Sequence, residues 1–397
     1  MPPVPPRPAS AGPRSTRSAR RARRRRVVRR RVALAAVVLI VVLSGGVAVY
    51  ATNRPADRAV AVDRPPASTT STAPTTTTTF RDPRRGNGQP VTFAFGGDVH
   101  FEGALRAKLA ADPATILAPI APVLSSADLA MVNLESAITE ANTPLVKEWT
   151  FRTPANALDA LRAAGVDVAT EANNHGIDFG PQGLADSLAA RAAKQYPVIG
   201  IGANATEAYA PYRAEVKGQR IAIFGATDVM GEENVASWTA TDTQGGLAST
   251  KYDAQTRMVA AIQAVRPEVD TVVVFLHWGI ERQDCPSPRQ QELAQALTDA
   301  GADIVVGSHA HHLQGGGRFN TSFVDYGLGN LVFFNETGEY GRTGVLVVTA
   351  TGRDIDSYQW TPARITSGVA TPVPPGPDAD AELAHWNELR ACTGLAP

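Results

Sequence analysis

The clearest structural signal in this sequence is the segment Ile304-Val305-Val306-Gly307-Ser308-His309-Ala310-His311. Its first three residues are apolar and β-branched, which is typical of a buried strand, and Gly307-Ser308 ends the apolar run. A strand of this kind delivers the residues that follow it to the carboxyl edge of an α/β sheet, where ligands bind. Here those residues include two histidines, and imidazole is the commonest side-chain ligand for metal ions. A single His-x-His pair is a weak signal, so a metal site needs further ligands elsewhere in the chain.

Four further predicted strands lead to residues of the same chemical kind. These strands and the residues after them are Val91–Phe95, closed by Gly96-Gly97, with Asp98 and His100; Asp128–Val132 with Asn133-Leu134-Glu135; Val166–Ala169 with Asn173-Asn174-His175; and Thr271–Leu276 with His277. Five of the seven histidines therefore follow predicted strands, which random scatter does not explain. Carboxylates and imidazoles without thiolates suit Mn, Zn or Fe, and two such ions can activate the water that phosphoester hydrolysis requires.

Helical patterns separate these strands through the first two thirds of the folded part, and strands dominate afterwards. The predicted helices are 156–164, one opening at Gly180-Pro181, 252–265 and 287–300, and the later strands are 220–226, 321–326, 344–349 and 358–362. This order predicts an α/β layered fold with one main domain over residues 91–365. Residues 366–397 are expected to form a Pro-rich turn and a short helix near 381–390.

The N-terminal 90 residues have a different composition. Residues 1–31 are rich in arginine, and residues 32–52 carry no charge and are long enough to cross a hydrocarbon layer of about 30 Å as a helix. Basic residues before an apolar span predict a single-pass signal-anchor in the cell membrane with a cytoplasmic N-terminus; a cleaved signal peptide is the alternative. The Thr/Pro-rich segment 53–90 is expected to be a disordered linker to an extracytoplasmic domain.

The formal net charge of zero hides an asymmetry. The first 52 residues hold 12 of the 38 Lys and Arg and no acidic residue, which leaves 26 basic against 38 acidic residues, a net charge of −12, for the remainder. A main domain of this charge is not expected to bind nucleic acid.

The ordered motifs together resemble the CapA family, which is associated with poly-γ-glutamate capsule synthesis and is grouped with the calcineurin-like metallophosphatases. The motifs that carry the resemblance are Gly97-Asp98, Asn133-Leu134-Glu135, Asn173-Asn174-His175-Gly176-Ile177-Asp178-Phe179-Gly180, His277-Trp278-Gly279-Ile280-Glu281, Gly307–Gln314 and Tyr326–Asn330. The resemblance implies a metallophosphatase-like four-layer α/β/β/α sandwich.

The same resemblance implies roles for individual residues. The implied ligands of two divalent ions are Asp98, His100, Glu135, Asn174, His277, His309 and His311. Glu135 stands where the metallophosphatases have a bridging Asp, and Asn173 stands where they have Gly. His175 resembles the acid near the leaving group, with Asp98 also at the catalytic centre. Asn173, Glu281 and Asn330 are expected to contact substrate.

The chain has two cysteines, Cys285 and Cys392. Two cysteines in an exported chain can form a disulfide, and a bridge would hold the C-terminal tail near the predicted site; two free thiols are the alternative.

Two functions from different classes fit these observations. One is a membrane-anchored metallohydrolase that cleaves a phosphoester or amide-type bond in an anionic envelope polymer or its precursor. The other is a non-catalytic subunit that binds such a polymer beside membrane synthase or export subunits. In the second case bound metal must supply the positive charge, since the domain itself is acidic.

Overall fold

The computed structural model describes residues 82–397. The strands in chain order are β1 (Val91–Val99), β2 (Leu129–Leu134), β3 (Ala137–Ile138), β4 (Arg152–Thr153), β5 (Val168–Thr170), β6 (Val198–Ile199), β7 (Ile201–Gly202), β8 (Tyr212–Val216), β9 (Gln219–Thr227), β10 (Gly246–Leu247), β11 (Thr271–His277), β12 (Ile304–Ser308), β13 (Leu313–Phe319), β14 (Ser322–Leu328), β15 (Asn330–Val332), β16 (Arg342–Thr351), β17 (Asp354–Thr366) and β18 (Val369–Pro372). The helices are α1 (Ala104–Ala111), α2 (Ala121–Leu124), α3 (Ala157–Ala163), α4 (Gly180–Lys194), α5 (Ala205–Ala208), α6 (Val235–Trp238), α7 (Ala254–Val265), α8 (Pro288–Ala300) and α9 (Pro377–Leu389).

The predicted cytoplasmic segment, membrane helix and first part of the linker lie outside the described residues. Among residues 82–397, no helix has both the length and the apolar character needed to cross a membrane. The last residues of the predicted linker lie against the folded domain, where Arg84 and Arg85 both form ion pairs with Asp354.

Two sheets form the centre of the fold. The larger has eight strands in the order β15-β18-β17-β16-β1-β2-β5-β6, and the smaller has six in the order β13-β14-β12-β11-β9-β8. The run β1, β2, β5, β6 is parallel, as is the run β9, β11, β12, β14. The predicted α/β class is therefore confirmed. Strand β18 pairs with β17 and β15, so the larger sheet continues past residue 365, where the sequence placed the end of the domain.

Alternation along the central strands determines which layer each side chain fills. Phe95 of β1 and Phe275 of β11 belong to one apolar cluster that lies between the two sheets. Their neighbours Ala94 and Val274 point the other way, into two separate clusters formed with helices, and Val274 shares its cluster with Leu293 of α8. Because successive side chains on a strand face opposite sides, each sheet buries both faces. The described chain thus forms four layers, with helices outside and two sheets inside.

Helix α8 begins and ends where the sequence signals lie. The Ser287 hydroxyl accepts a hydrogen bond from the Gln290 backbone N–H, and the Gln290 side chain accepts one from the Ser287 N–H. This capping box satisfies donors that would otherwise have no partner within the helix. Pro288 occupies the first turn, and Gly301 ends the helix in the left-handed conformation at φ 115°.

Strand β1 continues past the glycines that were expected to close it. Gly96 and Gly97 lie inside the strand, and its register against β2 shifts between Phe95 and Asp98. A Cβ atom on Gly97 would lie 1.9 Å from the carbonyl oxygen of Gly329. Glycine is therefore required for a close backbone approach, and Asp98 is held rigidly within the strand rather than in a loop after it.

Strand β13, which contains Gly315-Gly316-Gly317, was not predicted from the sequence. Glycine runs weaken a strand prediction, but a Cβ atom on Gly315 would lie only 2.5 Å from the Arg390 backbone nitrogen. The glycines allow the C-terminal segment to pack closely on this strand. Cys285 and Cys392 are joined by a disulfide, with Cα atoms 5.7 Å apart, which links the same segment to the loop after β11.

Replacing both Cys285 and Cys392 by serine should lower the free energy of unfolding by about 2–5 kcal/mol, because the bridge spans a sequence separation of 107 residues and restricts the unfolded chain. Urea unfolding without reductant measures this change. Wild-type protein under reducing conditions is the matched control and should reach the same lowered stability. Equal stability of all three samples would show that the bridge does not constrain the chain.

Glu171 follows β5 directly, and its carboxyl group is fully buried. The Ser187 hydroxyl donates a hydrogen bond to Glu171 Oε1 at 2.5 Å. Burial raises the pKa of Glu171 from 4.5 to about 8. Between these pH values the folded protein keeps a proton that the unfolded chain has lost. Stability from this group is therefore complete below about pH 4.5 and is lost as the pH rises to about 8.

Glu171→Gln should remove this loss, so that stability depends less on pH between 5 and 9 than in the wild type. The wild type should lose roughly 2–5 kcal/mol more than the variant across that window. Urea unfolding at intervals of one pH unit measures it, with the exposed Glu215→Gln as control. Parallel curves for the wild type and Glu171→Gln would contradict the prediction.

Candidate metal centre

The predicted ligands come together at the carboxyl ends of the central parallel strands of both sheets. Asp98 lies at the end of β1, Glu135 directly after β2, and His277 at the end of β11. His309 and His311 follow β12, and all five side chains are buried. Because the two sheets pack face to face, strand ends that are distant in sequence supply one cluster.

Glu135 lies among the imidazoles of this cluster. Its Oε1 atom is 3.4 Å from His277 Nε2 and 3.9 Å from both His311 Nε2 and His175 Nε2. Neither carboxylate oxygen of Glu135, nor Nδ1 of His309, has a hydrogen-bond partner among the described residues. Buried polar atoms are almost always satisfied in folded proteins, so these atoms have coordination capacity available for a cation.

Asp98, unlike Glu135, accepts hydrogen bonds at both carboxylate oxygens. Its Oδ1 accepts a hydrogen bond from Asn133 Nδ2 at 2.7 Å, and its Oδ2 accepts one from the His309 backbone N–H at 3.1 Å. His311 Nδ1 lies 3.3 Å from Asp98 Oδ2. Three groups of residues place all their ligand atoms within 4.8 Å of one another: Asp98, Glu135 and His311; Glu135, His277 and His309; and Glu281, His309 and His311. The residues present fit divalent cations, since they combine carboxylate oxygens with imidazole nitrogens.

Charges within the cluster shift the protonation of its members. Burial raises the pKa of Asp98, but the hydrogen bond from His311 and the charges of His277 and His311 outweigh it, so this pKa lies well below its usual value. Burial lowers the pKa of His311, but Glu135 and Asp98 raise it to about 9. At His309 burial dominates and lowers the pKa well below 6.5. His309 is therefore neutral and keeps a lone pair for a metal ion.

The backbone of the His-Ala-His turn is unusual. His309 and His311 have φ values of 96° and 56°, in the region that non-glycine residues seldom adopt. The His309 N–H bonds to Asp98, and the Ala310 carbonyl accepts a hydrogen bond from the Arg282 N–H at 2.8 Å. Strained backbone of this kind clusters at functional sites, where the surrounding structure holds it.

Asn174, one of the predicted ligands, lies at the cluster through its side-chain oxygen, 2.8 Å from His277 Nε2. Asn133 belongs to the Asn133-Leu134-Glu135 motif, and no role was predicted for it. Its amide donates to Asp98 and lies 3.1 Å from His277 Nδ1, so it fixes a carboxylate and an imidazole at once. The sequence signal for this role was that Asn133 is a polar residue within an otherwise apolar strand.

His175, the predicted acid, is oriented by residues that the sequence analysis did not assign. His175 Nδ1 lies 2.6 Å from Asp178 Oδ2, and a carboxylate accepts, so Nδ1 carries the proton and Nε2 faces Glu135. Asp178 is held in turn by Lys147 Nζ at 2.6 Å and by the Phe151 N–H at 2.7 Å. Asp178 follows His175 by three residues, and this spacing can be read from the sequence. Lys147 lies on a loop whose sequence has no pattern that indicates its role.

His100 does not join the ligand groups, contrary to its predicted role. Its ring is surrounded by Phe151, Phe333 and Phe334, with ring centroids 4.3–5.0 Å away. Nδ1 faces the Glu102 N–H at 3.1 Å and Nε2 faces the Phe334 N–H at 3.3 Å. Burial, followed by the charge of His311, lowers the pKa of His100 to about 3. A neutral imidazole accepts at one nitrogen only, so one of these two N–H groups can bond to the ring, and His100 belongs to none of the three ligand groups.

The three predicted substrate contacts separate into two kinds. Asn173 is fully buried and donates to Asn133 Oδ1 at 3.0 Å, and Asn330 is fully buried with Oδ1 2.8 Å from His311 Nδ1. These two amides position other site residues, and neither lines the small cavity described below. Glu281 is exposed and does line the cavity.

A cavity of about 190 Å³ opens beside the cluster. It is lined by Trp149, Phe151, His175, Glu281, His311, Phe333, Phe334, Asn335 and Tyr340. Two larger cavities, of about 520 and 480 Å³, are lined by residues outside the cluster. Of these three cavities, the small one is lined by the candidate acid His175 and the candidate ligand His311.

Comparison with known proteins defines the class to which this fold and site belong. The family model described as "Bacterial capsule synthesis protein PGA_cap" matches residues 92–335, and the chain belongs to this family. The predicted resemblance to CapA is confirmed.

Two relatives illustrate the family. The capsule biosynthesis protein CapA of Bacillus anthracis is 38% identical over 175 residues, which cover 44% of this chain and 42% of that protein. The PGA biosynthesis protein CapA of Bacillus subtilis (strain 168) is 32% identical over 258 residues, or 62% of this chain and 66% of that protein. The chain thus spans less than two thirds of the length of either relative. Among solved structures, the sulfate thiohydrolase SoxB of Thermus thermophilus, in complex with glycerol, aligns with a TM-score of 0.41 and 13% identity, over 76% of this chain and 59% of that one.

Purified protein should contain about one to two equivalents of Mn, Zn or Fe, and the double variant His309→Ala, His311→Ala should lose them, because each of the three ligand groups contains at least one of these two imidazoles. Elemental analysis after gel filtration measures this. His385→Ala, on helix α9 outside the cluster, is the matched control. Metal content that stays the same in the double variant would exclude these histidines as ligands.

Proposed function

We propose that this protein is a membrane-anchored, extracytoplasmic member of the CapA family whose buried cluster is a metal-dependent hydrolase site of the metallophosphatase type. It would act on an envelope polymer, of the capsule or poly-γ-glutamate kind, or on its precursor. The observation that carries the proposal is Glu135, a buried carboxylate close to three imidazoles and without a hydrogen-bond donor among the described residues.

Two divalent ions held by Asp98, Glu135, Asn174, His277, His309 and His311 would supply the positive charge that neutralises a developing oxyanion and lowers the pKa of water. The chain's own residues supply the remaining parts. Asp178 accepts the hydrogen bond from His175 Nδ1–H and fixes the ring, so that the imidazolium form, protonated at both nitrogens, can give its Nε2 proton to the leaving oxygen or nitrogen and remain as neutral imidazole. Phe151 stacks on His175 with ring centroids 4.0 Å apart and covers one face of the imidazole.

A second candidate function is a non-catalytic subunit that binds the polymer within a synthesis or export complex. The names of the relatives favour it, because they describe capsule and PGA biosynthesis and not hydrolysis. The two candidates share the metal cluster and differ in turnover alone.

Metal-loaded protein should hydrolyse a phosphodiester or a γ-glutamyl oligomer, and His175→Ala should lower kcat by a factor of about 10²–10⁴ while metal content stays unchanged, because the variant removes the proton donor. Asp178→Asn should also lower kcat, since the amide no longer fixes the His175 ring. Steady-state kinetics with product analysis measures these effects, and the exposed Tyr252→Ala is the control.

Protein with its full metal content could instead bind a γ-glutamyl polymer to saturation and show no turnover. That result would favour the non-catalytic, polymer-binding function. Turnover that persists in His175→Ala would remove the assigned acid from the mechanism.

A further inference from the structure

Glu281 is the one exposed carboxylate in the three ligand groups. A carboxylate oxygen of Glu281 lies within 4.8 Å of one ring nitrogen on each of His309 and His311. Among residues 82–397 the Glu281 side chain forms no hydrogen bond or ion pair. Two ligand atoms that each lie about 2.0–2.2 Å from one ion are up to about 4.4 Å apart. The carboxylate therefore does not bond to the imidazoles directly, yet a small rotation of its side chain lets it share an ion with them.

Hydrogen bonding leaves a nitrogen of each imidazole available for a cation. Asn330 Nδ2 donates to the Tyr340 carbonyl at 3.2 Å, so the Asn330 amide oxygen accepts from His311 Nδ1–H at 2.8 Å. A cation that binds His311 therefore takes the place of the proton at Nε2. His309 is 5% exposed, and its Nδ1 has no hydrogen-bond partner among the described residues. A buried imidazole nitrogen without a partner indicates that a ligand is missing there.

The backbone holds Glu281 beside the two histidines. The N–H of the next residue, Arg282, donates at 2.8 Å to the carbonyl of Ala310, which lies between the histidines in the chain. Further along the same loop, the Gln314 side chain donates to the Gln283 carbonyl at 2.9 Å. These bonds join the loop after β11 to the segment after β12, so that residues following two neighbouring strands lie together.

The position of His100 supports a role for Glu281. The sequence pattern implied that His100 is a ligand, but its ring packs among three phenylalanines and belongs to none of the ligand groups. Glu281 is the third member of the group that contains His309 and His311. Catalytic zinc sites use three protein ligands, and a carboxylate is a common third ligand beside two imidazoles.

We propose that Glu281 is a ligand of the metal centre, on the side that faces the small cavity, and takes the place in the ligand set that the sequence pattern gave to His100. Glu281 and His311 both line this cavity. Because Glu281 is the exposed member of the three groups, it is the ligand that a substrate entering through the cavity meets. The inference rests on the proposed function, since it adds a residue to the metal centre of that function.

The metal affinity of the full chain, purified in detergent, tests this assignment. Glu281→Ala should weaken the binding of at least one ion by about tenfold or more, because even residues that only orient a ligand contribute about 10–100-fold to metal affinity. Titration with a chelator, followed by elemental analysis, measures the loss. In protein loaded with Co(II), Glu281→Ala should also change the visible absorption spectrum, which depends on the number and geometry of the ligands.

Asp284→Ala is the matched control. Asp284 is an exposed carboxylate on the same loop, pairs with His312 and belongs to none of the ligand groups. This variant should keep the metal affinity and the spectrum of the wild type. Glu281→Gln, which keeps the size of the side chain and removes its charge, should bind metal less tightly than the wild type and serves as a second variant if Glu281→Ala is misfolded.

Metal affinity and spectrum that stay unchanged in both Glu281 variants would overturn the inference. An equal loss in Asp284→Ala would also overturn it, because the effect would then come from the charge of the loop and not from ligation. Wild-type protein that binds no metal would overturn the metal centre and this inference together. Phosphodiester turnover, measured on the same wild-type samples, reports separately on the hydrolase function.

Discussion

Two carboxylates, Asp98 and Glu135, are fully buried where the parallel strands of both sheets end. Removing an ionised carboxylate from water costs several kcal/mol unless opposite charge and hydrogen bonds replace the water. Asp98 receives this compensation from Asn133, the His309 N–H and His311. Glu135 has only imidazoles at 3.4–3.9 Å. The raised pKa of His311 gives Glu135 one cationic neighbour, and the two Glu135 oxygens, which have no hydrogen-bond partner among the described residues, leave coordination capacity for a divalent cation.

The face-to-face packing of the sheets makes that burial possible. Phe95 and Phe275 join one apolar cluster between the sheets, a few residues before Asp98 and His277 on the same strands. The cluster therefore fixes the distance between the two strand ends. Close backbone approach at Gly97, and the left-handed turns at His309 and His311, complete the site. The packed layers set the positions of the strand ends, and the loop that bears His309 and His311 adopts strained backbone at both residues.

Around this centre, one loop links the candidate acid with the cavity mouth. Lys147 fixes Asp178, which orients His175, and Trp149 stands exposed two residues further along the chain. The Cys285–Cys392 bridge links the loop that bears Glu281 to the C-terminal segment. Two of the segments that line the small cavity are thus held in place, one by an ion pair and the other by a covalent bond.

Strand and helix periodicity, with caps and glycines, predicted the α/β class and most central elements, because those signals are local. The same pattern identified Asp98, Glu135, Asn174 and the histidines after β11 and β12 as one set, since strands deliver their last residues to a common edge. Local patterns did not reveal the glycine-rich strand β13, which pairs with the adjacent strand β14, because its glycines are needed for close packing of a segment more than 70 residues away. Nor could they separate His100 from the ligands or assign positions to Asn133 and Lys147. Those outcomes depend on which ring nitrogens and amides meet backbone donors across the layers, and only packing between strands distant in sequence establishes those contacts.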